Sequence, residues 1–108
     1  MRAEMKTQIE AAFAQFPEAI GPRLGVLCIR GDVPLAVVEG IIGNTNRVTL
    51  RRWVTGKVLC PQHPLDRRKL RRLVWTLGQA LDTGILPMDG AFNPQAILPL
   101  WAESISKL

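Results

Sequence analysis

Residues 41–61 read IIGNTNRVTLRRWVTGKVLCP and combine a small-residue turn, a short run with helical spacing, an arginine pair and a glycine stop. Three apolar side chains recur at the spacing of one helix face: Leu50, Trp53 and Val54. Arg51 and Arg52 fall between them, so helical geometry places both guanidinium groups on the sides and the outer face. The stretch therefore predicts a helix over residues 46–56 that ends at Gly56, with its leucine and tryptophan turned inward.

The segment before this turn predicts another helix, which would brace the first. Asp32 offers an N-cap, and Pro34 lies in the first turn, where its missing N–H costs nothing. An apolar stripe follows, formed by Leu35, Val38, Ile41 and Ile42. The letters GNTN form the turn, in which Thr45 or Asn46 caps the next helix. Two helices joined by so short a connection predict a helix-turn-helix over residues 33–57.

Further helical patterns occur on both sides of this motif. A first helix is predicted over residues 3–16, and the longest helix over residues 66–82, with Asp66 as its cap. A last helix is predicted over residues 93–107, which Pro99 must kink or start. The run RLGVLCIR is either a short strand or a buried helical turn, because periodicity cannot assign a short apolar run.

These patterns predict an all-α fold of about five helices in a compact bundle. At 108 residues the chain has the length of a single domain, residues 1–108, and 47% of it is hydrophobic, far above a disordered chain. No apolar run approaches the ~20 residues that span a bilayer. Residues 1–16 alternate charged and apolar residues and lack the apolar core of a signal peptide, so a cytoplasmic location is expected.

Basic residues cluster in the middle of the chain. The net charge is +5, but residues 47–72 contain nine basic residues and a single acid, Asp66. That window therefore carries +8, and the rest of the chain sums to −3. Such asymmetry is typical of a polyanion-binding surface, although a solvated face that keeps the protein soluble would have the same composition.

The predicted second helix of the motif carries groups that suit a DNA duplex. Forked guanidinium groups can contact both guanine edges and phosphates, and short polar side chains near the helix start can reach phosphate or base edges. The positive end of the helix dipole also favours phosphate there. The candidate DNA-binding residues of this motif are Thr45, Asn46, Arg47, Thr49, Arg51, Arg52 and Lys57.

The letters GNTNRVTLRRWVTGKVLCP resemble the second half of the helix-turn-helix of the phage Cro/repressor family. That pattern has a turn glycine, a polar residue, an apolar pair, a Gly-Lys or Gly-Arg stop and a proline. The matching positions are Gly43, Thr45, Leu50, Trp53, Gly56, Lys57 and Pro61. The resemblance covers about residues 32–61, roughly 30 of the 108.

Three departures from the family pattern accompany this resemblance. The turn over residues 43–50 and the spacing over residues 53–61 each look one residue longer than usual. Glu39 stands where the pattern has a small alanine, so its carboxylate must reach solvent or pair with an arginine. The resemblance implies a sequence-specific double-stranded DNA-binding transcriptional regulator, a repressor that occupies its operator. Proteins of this kind commonly bind palindromic sites as two-fold dimers.

The longest predicted helix adds a second basic region. Its candidates for phosphate contacts, which add affinity but little sequence choice, are Arg67, Arg68, Arg71 and Arg72. Trp75 is predicted to lie on the basic side, away from Leu73 and Leu77. It is either covered by the C-terminal segment or a second subunit, or stacks on an unpaired base. The apolar residues of the last helix, Leu98, Trp101 and Ile105, either close the core or form a dimer contact.

A different class of function, RNA binding, is the main alternative. The chain has the size, basicity and helical character of FinO/ProQ-type RNA chaperone domains, and FPEAIGPRLGV and PMDGAFNP resemble their blocks. It has no tyrosine, however, which that family's pattern contains, and the helix over residues 66–82 has no place in that pattern.

The sequence contains no motif that indicates an enzyme, a cofactor or a metal. The single histidine, His63, stands between prolines without an evident carboxylate partner, and no phosphate loop or nucleophile elbow occurs. CPQH has the look of half a metal site, but the chain has three soft or imidazole candidates where a structural zinc needs four ligands. Free thiols are expected, with Cys28 buried and Cys60 in a loop.

Overall fold

A computed structural model describes residues 3–43, 45–58, 61–84 and 97–107, with side chains described as far as Ser104. This part of the chain is all α-helical and contains no strand, as the sequence predicts. It has six helices rather than about five: α1 Ala3–Gln15, α2 Ile20–Gly31, α3 Leu35–Ile42, α4 Arg47–Val54, α5 Pro64–Asp82 and α6 Leu98–Lys107. The radius of gyration, 12.7 Å, is close to the ~13 Å typical of a compact fold of this length.

The additional helix is α2, which contains the run RLGVLCIR, so the strand alternative is wrong. α2 packs against α1, α4 and α5, and this burial on several sides explains why its residues are almost continuously apolar. Arg23 and Arg30, seven residues apart, are the exposed residues of α2, but the apolar run between them is short, and a short apolar run cannot be assigned by periodicity.

One buried cluster joins the helices. Its residues from α1 to α4 are Ile9, Leu24, Val26, Cys28, Leu35, Val38, Ile42, Leu50, Trp53 and Val54, with Val33 from the connection between α2 and α3. α5 contributes Leu70, Leu73, Leu77 and Ala80, and Ile97 lies just before α6. The apolar face predicted for α4 therefore forms part of the core, as do Leu73 and Leu77, which were predicted to lie away from the basic side of α5.

Two of the predicted helix caps are wrong. Asp32 does not begin α3; it ends α2 in the left-handed conformation (φ 52°), where its N–H donates to the carbonyl oxygen of Ile29 at 3.3 Å. Aspartate tolerates this conformation better than most residues, and Pro34 takes the N-cap position of α3 instead. Asp66 lies inside the first turn of α5, because His63 Nδ1 accepts the cap hydrogen bond from the N–H of Leu65 at 3.2 Å.

The helices predicted at the two ends of the chain agree in part with the structure. α1 matches the helix predicted over residues 3–16. α6 begins at Leu98 with Pro99 in its first turn, so the proline starts this helix rather than kinking it. Residues 85–96, which include the predicted start at Asn93 and the block PMDGAFNP, lie outside the described residues, as do Cys60 and Asn44. Among the helices described, none is both long and apolar enough to cross a membrane.

Candidate nucleic-acid interface

The short helix α4 follows α3 after a turn and turns its apolar side inward, as predicted. α4 packs against α2 and α3. Leu50 and Val54 are fully buried, and Trp53 is only 5% exposed. Three buried residues in an eight-residue helix leave one side of α4 for solvent, so its charged residues are held on a surface whose position the core determines.

Two glycines of α2 allow α4 to approach closely. A Cβ atom built on Gly21 would overlap the carbonyl oxygen of Trp53 and lie 2.7 Å from its carbonyl carbon. A Cβ atom on Gly25 would lie 3.0 Å from the Cβ of Val54. Because these distances are shorter than van der Waals contact, a larger side chain would push α2 and α4 apart.

The N-terminus of α4 is capped by Asn46, as predicted. Asn46 Oδ1 accepts a hydrogen bond from the N–H of Thr49 at 2.9 Å. Gly43, at the start of the turn, has a φ of +88°, which glycine adopts without strain. The side chains of Thr45 and Thr49 are half-buried, and Thr45 Oγ1 has no hydrogen-bond partner within the described residues. The cap fixes the start of α4 and engages one of the oxygens that was expected to contact DNA.

An ion pair links the two helices of the motif. Arg47 Nε lies 3.0 Å from Glu39 Oε2, and the arginine side chain remains 46% exposed. The carboxylate that departs from the family pattern is thus accommodated by pairing with an arginine, one of the two outcomes expected. An exposed pair of this kind contributes little to stability, at most about 1 kcal/mol, so Arg47 can exchange Glu39 for another anion at low cost.

A groove between α1 and α4 contains three of the predicted DNA-binding residues. The groove has a volume of about 410 Å³, and its basic residues are Arg51, Arg52 and Lys57, all exposed. Within the described part of the chain, no carboxylate lies at ion-pair distance from Arg51 or Arg52. These guanidinium groups are therefore available to an external anion.

A second basic groove lies along the first half of α5. Arg67, Arg68 and Arg71 line it together with Pro64, and its volume is about 390 Å³. Arg68 and Arg71 are exposed, and Arg67 is half-buried. The structure therefore places six of the predicted basic residues in two distinct grooves, three in each.

Arg72 does not lie on the surface with its neighbours, contrary to the prediction. Its Nε donates to Ser104 Oγ at 3.0 Å, and its Nη2 donates to the carbonyl oxygen of Trp101 at 3.1 Å. Its guanidinium carbon lies 4.0 Å from the centre of the Trp101 ring, a cation–π geometry. Arg72 therefore attaches α6 to α5, and a phosphate contact from it would require breaking these interactions.

Lys69 also has a hydrogen-bond partner within the protein. Its Nζ donates to the carbonyl oxygen of Ile42, the last residue of α3, at 2.9 Å. A lysine at this end of a helix satisfies a free carbonyl group and complements the negative end of the helix dipole. With Arg47 and Arg72, it is the third of the nine clustered basic residues that has an internal partner.

Trp75 is half-buried beside a depression of about 580 Å³ between α2 and α5. The depression carries both signs of charge, from Arg23 and Arg71 on one hand and Glu18 and Asp82 on the other. Trp75 thus lies near a basic residue, as predicted, but its surroundings are not uniformly basic. In α6, Leu98 is 56% exposed and Trp101 is half-buried against the core; the side chain of Ile105 lies outside the description.

Five residues of the α1–α4 groove were not predicted from the sequence: Glu4, Met5, Gln8, Val48 and Thr55. Val48 is 62% exposed and lies on the same face as Arg51 and Arg52, a position that helical spacing could have revealed. Glu4 and Gln8 reach the groove from α1. Their proximity to α4 depends on tertiary packing over about 40 residues of sequence, which no local pattern records.

The described residues offer little for metal or thiol chemistry. No three histidine, cysteine, aspartate or glutamate side chains among them lie close enough together to hold a metal ion. Cys28 is a free thiol in the core, as predicted, and burial raises its pKa to about 12. A thiol with so high a pKa is almost entirely protonated at neutral pH and is a poor nucleophile.

Comparisons with known proteins identify no relative. No protein-family model, no curated protein and no solved structure matches the chain. The geometry of the two basic grooves is therefore the basis for an assignment of function.

Proposed function

We propose that the protein is a sequence-specific double-stranded DNA-binding regulator that places α4 in the major groove. The observation that carries the proposal is the arrangement of α4. Its buried Trp53 fixes the helix against the core, and its exposed Arg51 and Arg52 have no carboxylate partner within the described residues. A helix that presents unpaired guanidinium groups from a rigid base suits the recognition of guanine edges and phosphates.

The second groove supports contacts to the phosphate backbone. Arg67, Arg68 and Arg71 follow α4 after a short connection and form a separate positive region. Phosphate contacts of this kind orient a protein on the duplex without reading its sequence. In this proposal α4 selects the site and the start of α5 strengthens binding to any duplex.

Contacts within the protein reduce the number of residues that we propose to contact DNA. Arg72 is excluded, because it is committed to α6. Arg47 is retained, because its exposed pair with Glu39 can open when DNA approaches. Asn46 mainly stabilises the start of α4, since its side-chain oxygen already accepts a hydrogen bond from the N–H of Thr49.

Repression and dimer formation follow from the same proposal. A protein of this size that occupies a promoter acts most simply by excluding the polymerase, which is repression. The exposed Leu98 on α6 offers an apolar contact for a second copy, which would match a palindromic operator. Sedimentation of the free protein and of its duplex complex would give the stoichiometry, and one chain per duplex would contradict a dimer.

The proposal is tested by titration onto labelled duplex DNA, single-stranded DNA and structured RNA at several salt concentrations. If about five phosphates are neutralised, the slope of log affinity against log salt on duplex DNA should be roughly −4 to −5. Tighter binding to duplex DNA than to the other two supports the proposal. Preferential binding to RNA hairpins would overturn it and favour the RNA-binding alternative.

Single substitutions distinguish the roles that we propose for the two grooves. On a duplex selected from a random pool, Arg51→Ala should weaken binding by about tenfold or more, and on random DNA by less. Arg68→Ala should weaken binding to both duplexes alike, by a smaller factor. Arg30, an exposed arginine of α2 that lines neither groove, is the matched control, and Arg30→Ala should have little effect. Equal losses from Arg51→Ala and Arg68→Ala on every sequence would exclude base recognition by α4.

A further inference from the structure

The exposed face of α4 is not uniformly polar. Val48 is 62% exposed, the highest exposure among the large hydrophobic residues described. Valine is a weaker helix former than alanine or a charged residue, so helix formation gives no reason for its presence at a solvent-exposed position. Its side chain also makes no contribution to the buried cluster.

Val48 lies on the same face of α4 as two of its arginines. Arg51, Arg52 and Thr55 follow it at three, four and seven residues, so the four side chains share one face of the helix, and all four line the α1–α4 groove. An apolar, branched side chain therefore lies one helical turn before two arginines, on the surface that the proposed function directs toward DNA bases.

We propose that Val48 is a specificity-determining residue that contacts the C5-methyl group of a thymine in the major groove. This inference rests on the proposed function. In the major groove the C5-methyl group of thymine is the apolar group by which a base pair is recognised, and apolar side chains are its usual partners. The two arginines would contact guanines, whereas Val48 would distinguish thymine from cytosine.

The helix geometry also sets the spacing of the bases. Val48 precedes Arg51 and Arg52 by three and four residues, which is about 4.5–6 Å along a helix axis at ~1.5 Å per residue. Base pairs are stacked about 3.4 Å apart, so the thymine should lie within about two base pairs of a guanine contacted by an arginine. Enriched duplexes should therefore contain a thymine close to a guanine in each half-site.

The test uses duplexes that the wild-type protein enriches from a random pool, with each thymine replaced in turn by deoxyuridine, which lacks the methyl group. At one or two positions this replacement should weaken wild-type binding by about fourfold, the effect of one buried methyl group. The Val48→Ser variant, whose side chain has no methyl group, should bind the thymine and uracil duplexes equally at those positions, whereas Val48→Thr, which keeps one methyl group, should retain part of the difference. Both variants alter an exposed side chain, and circular dichroism would verify that they are folded.

Val58, another exposed valine that lies beyond the end of α4, provides the matched control. Val58→Ser should keep the wild-type sensitivity to uracil. If Val48→Ser keeps it as well, or if no thymine position is sensitive, the inference is wrong while sequence-dependent loss in Arg51→Ala would still support the proposed function. If no duplex is enriched, the proposed function fails and this inference fails with it.

Discussion

The close approach of α2 to α4 predicts that Gly21→Ala destabilises the protein, although alanine is the better helix former. The new methyl group would overlap the carbonyl oxygen of Trp53 and lie 2.7 Å from its carbonyl carbon and 3.2 Å from its Cα. All three atoms belong to the backbone of α4, so no side-chain rotation can relieve the overlap. The helix itself must move, which would also disturb the hydrogen bond from the N–H of Gly56 to the carbonyl oxygen of Trp53.

The expected magnitude follows from two opposing effects. Overpacking a core contact typically costs about 1–3 kcal/mol, and a rigid backbone contact belongs at the upper end of that range. Replacing a helical glycine by alanine contributes up to about 1 kcal/mol in the other direction. Gly21→Ala should therefore lower the free energy of unfolding by about 2 kcal/mol, a large part of the ~5–15 kcal/mol of a typical domain.

Two other helical glycines provide matched controls. Among the described residues, a Cβ atom on Gly40 in α3 or Gly78 in α5 meets no atom within 4 Å apart from its chain neighbours and the backbone of its own helix. Gly40→Ala and Gly78→Ala should each raise the free energy of unfolding by up to about 1 kcal/mol. Urea unfolding followed by circular dichroism would measure all three variants. If Gly21→Ala were as stable as Gly78→Ala, the close packing of α2 on α4 would be refuted, and with it the fixed position of the basic helix.

Three further predictions follow from individual contacts. Asn46→Ala removes the cap of α4 and should lower the free energy of unfolding by about 1 kcal/mol. Asn46→Ser, which can still cap the helix, should retain most of the stability in the same urea assay. Equal losses in the two variants would argue against capping. Glu4→Gln removes the carboxylate from the groove that Arg51 and Arg52 line, so it should strengthen binding to random duplex DNA at low salt. The gain in affinity should become smaller at high salt, because salt screens the charges. An unchanged affinity would indicate that polyanions do not enter this groove. Burial raises the pKa of Cys28 from 9.0 to about 12, so the unfolded chain loses the thiol proton at a lower pH than the folded protein does. The free energy of unfolding should therefore fall as pH rises through that interval. The decline between about pH 8 and about pH 10 should be smaller in Cys28→Ala than in the wild type.

Local patterns predicted the helices that have one apolar side. Leu50, Trp53 and Val54 of α4 are buried as their spacing requires, and Asn46 caps the helix they belong to. α2 was ambiguous because the apolar run between Arg23 and Arg30 is short enough to fit either a strand or a buried helical turn. Its glycines and its proline, Pro22, are also poor helix formers, so only packing against α1, α4 and α5 decides its conformation.

The candidate site was harder to predict because charge alone does not reveal internal partners. Arg72 binds Ser104, 32 residues away, and Lys69 binds the carbonyl group of Ile42, 27 residues away. Both contacts depend on how helices pack, and neither leaves a trace in the spacing of basic residues. The predicted caps at Asp32 and Asp66 are wrong for a local reason: Pro34 takes the N-cap position of α3, and α5 begins earlier than predicted, at Pro64.

The three tryptophans lie on different helices and in different surroundings. Trp53 is buried under α4, Trp75 borders the mixed-charge depression of α5, and Trp101 lies beneath the guanidinium group of Arg72 on α6. Indole emission responds to polarity and to nearby cations, so the molecule carries its own optical probes. A set of variants that each keep a single tryptophan would report separately on α4, α5 and α6, without an attached dye, as the protein unfolds or meets a ligand.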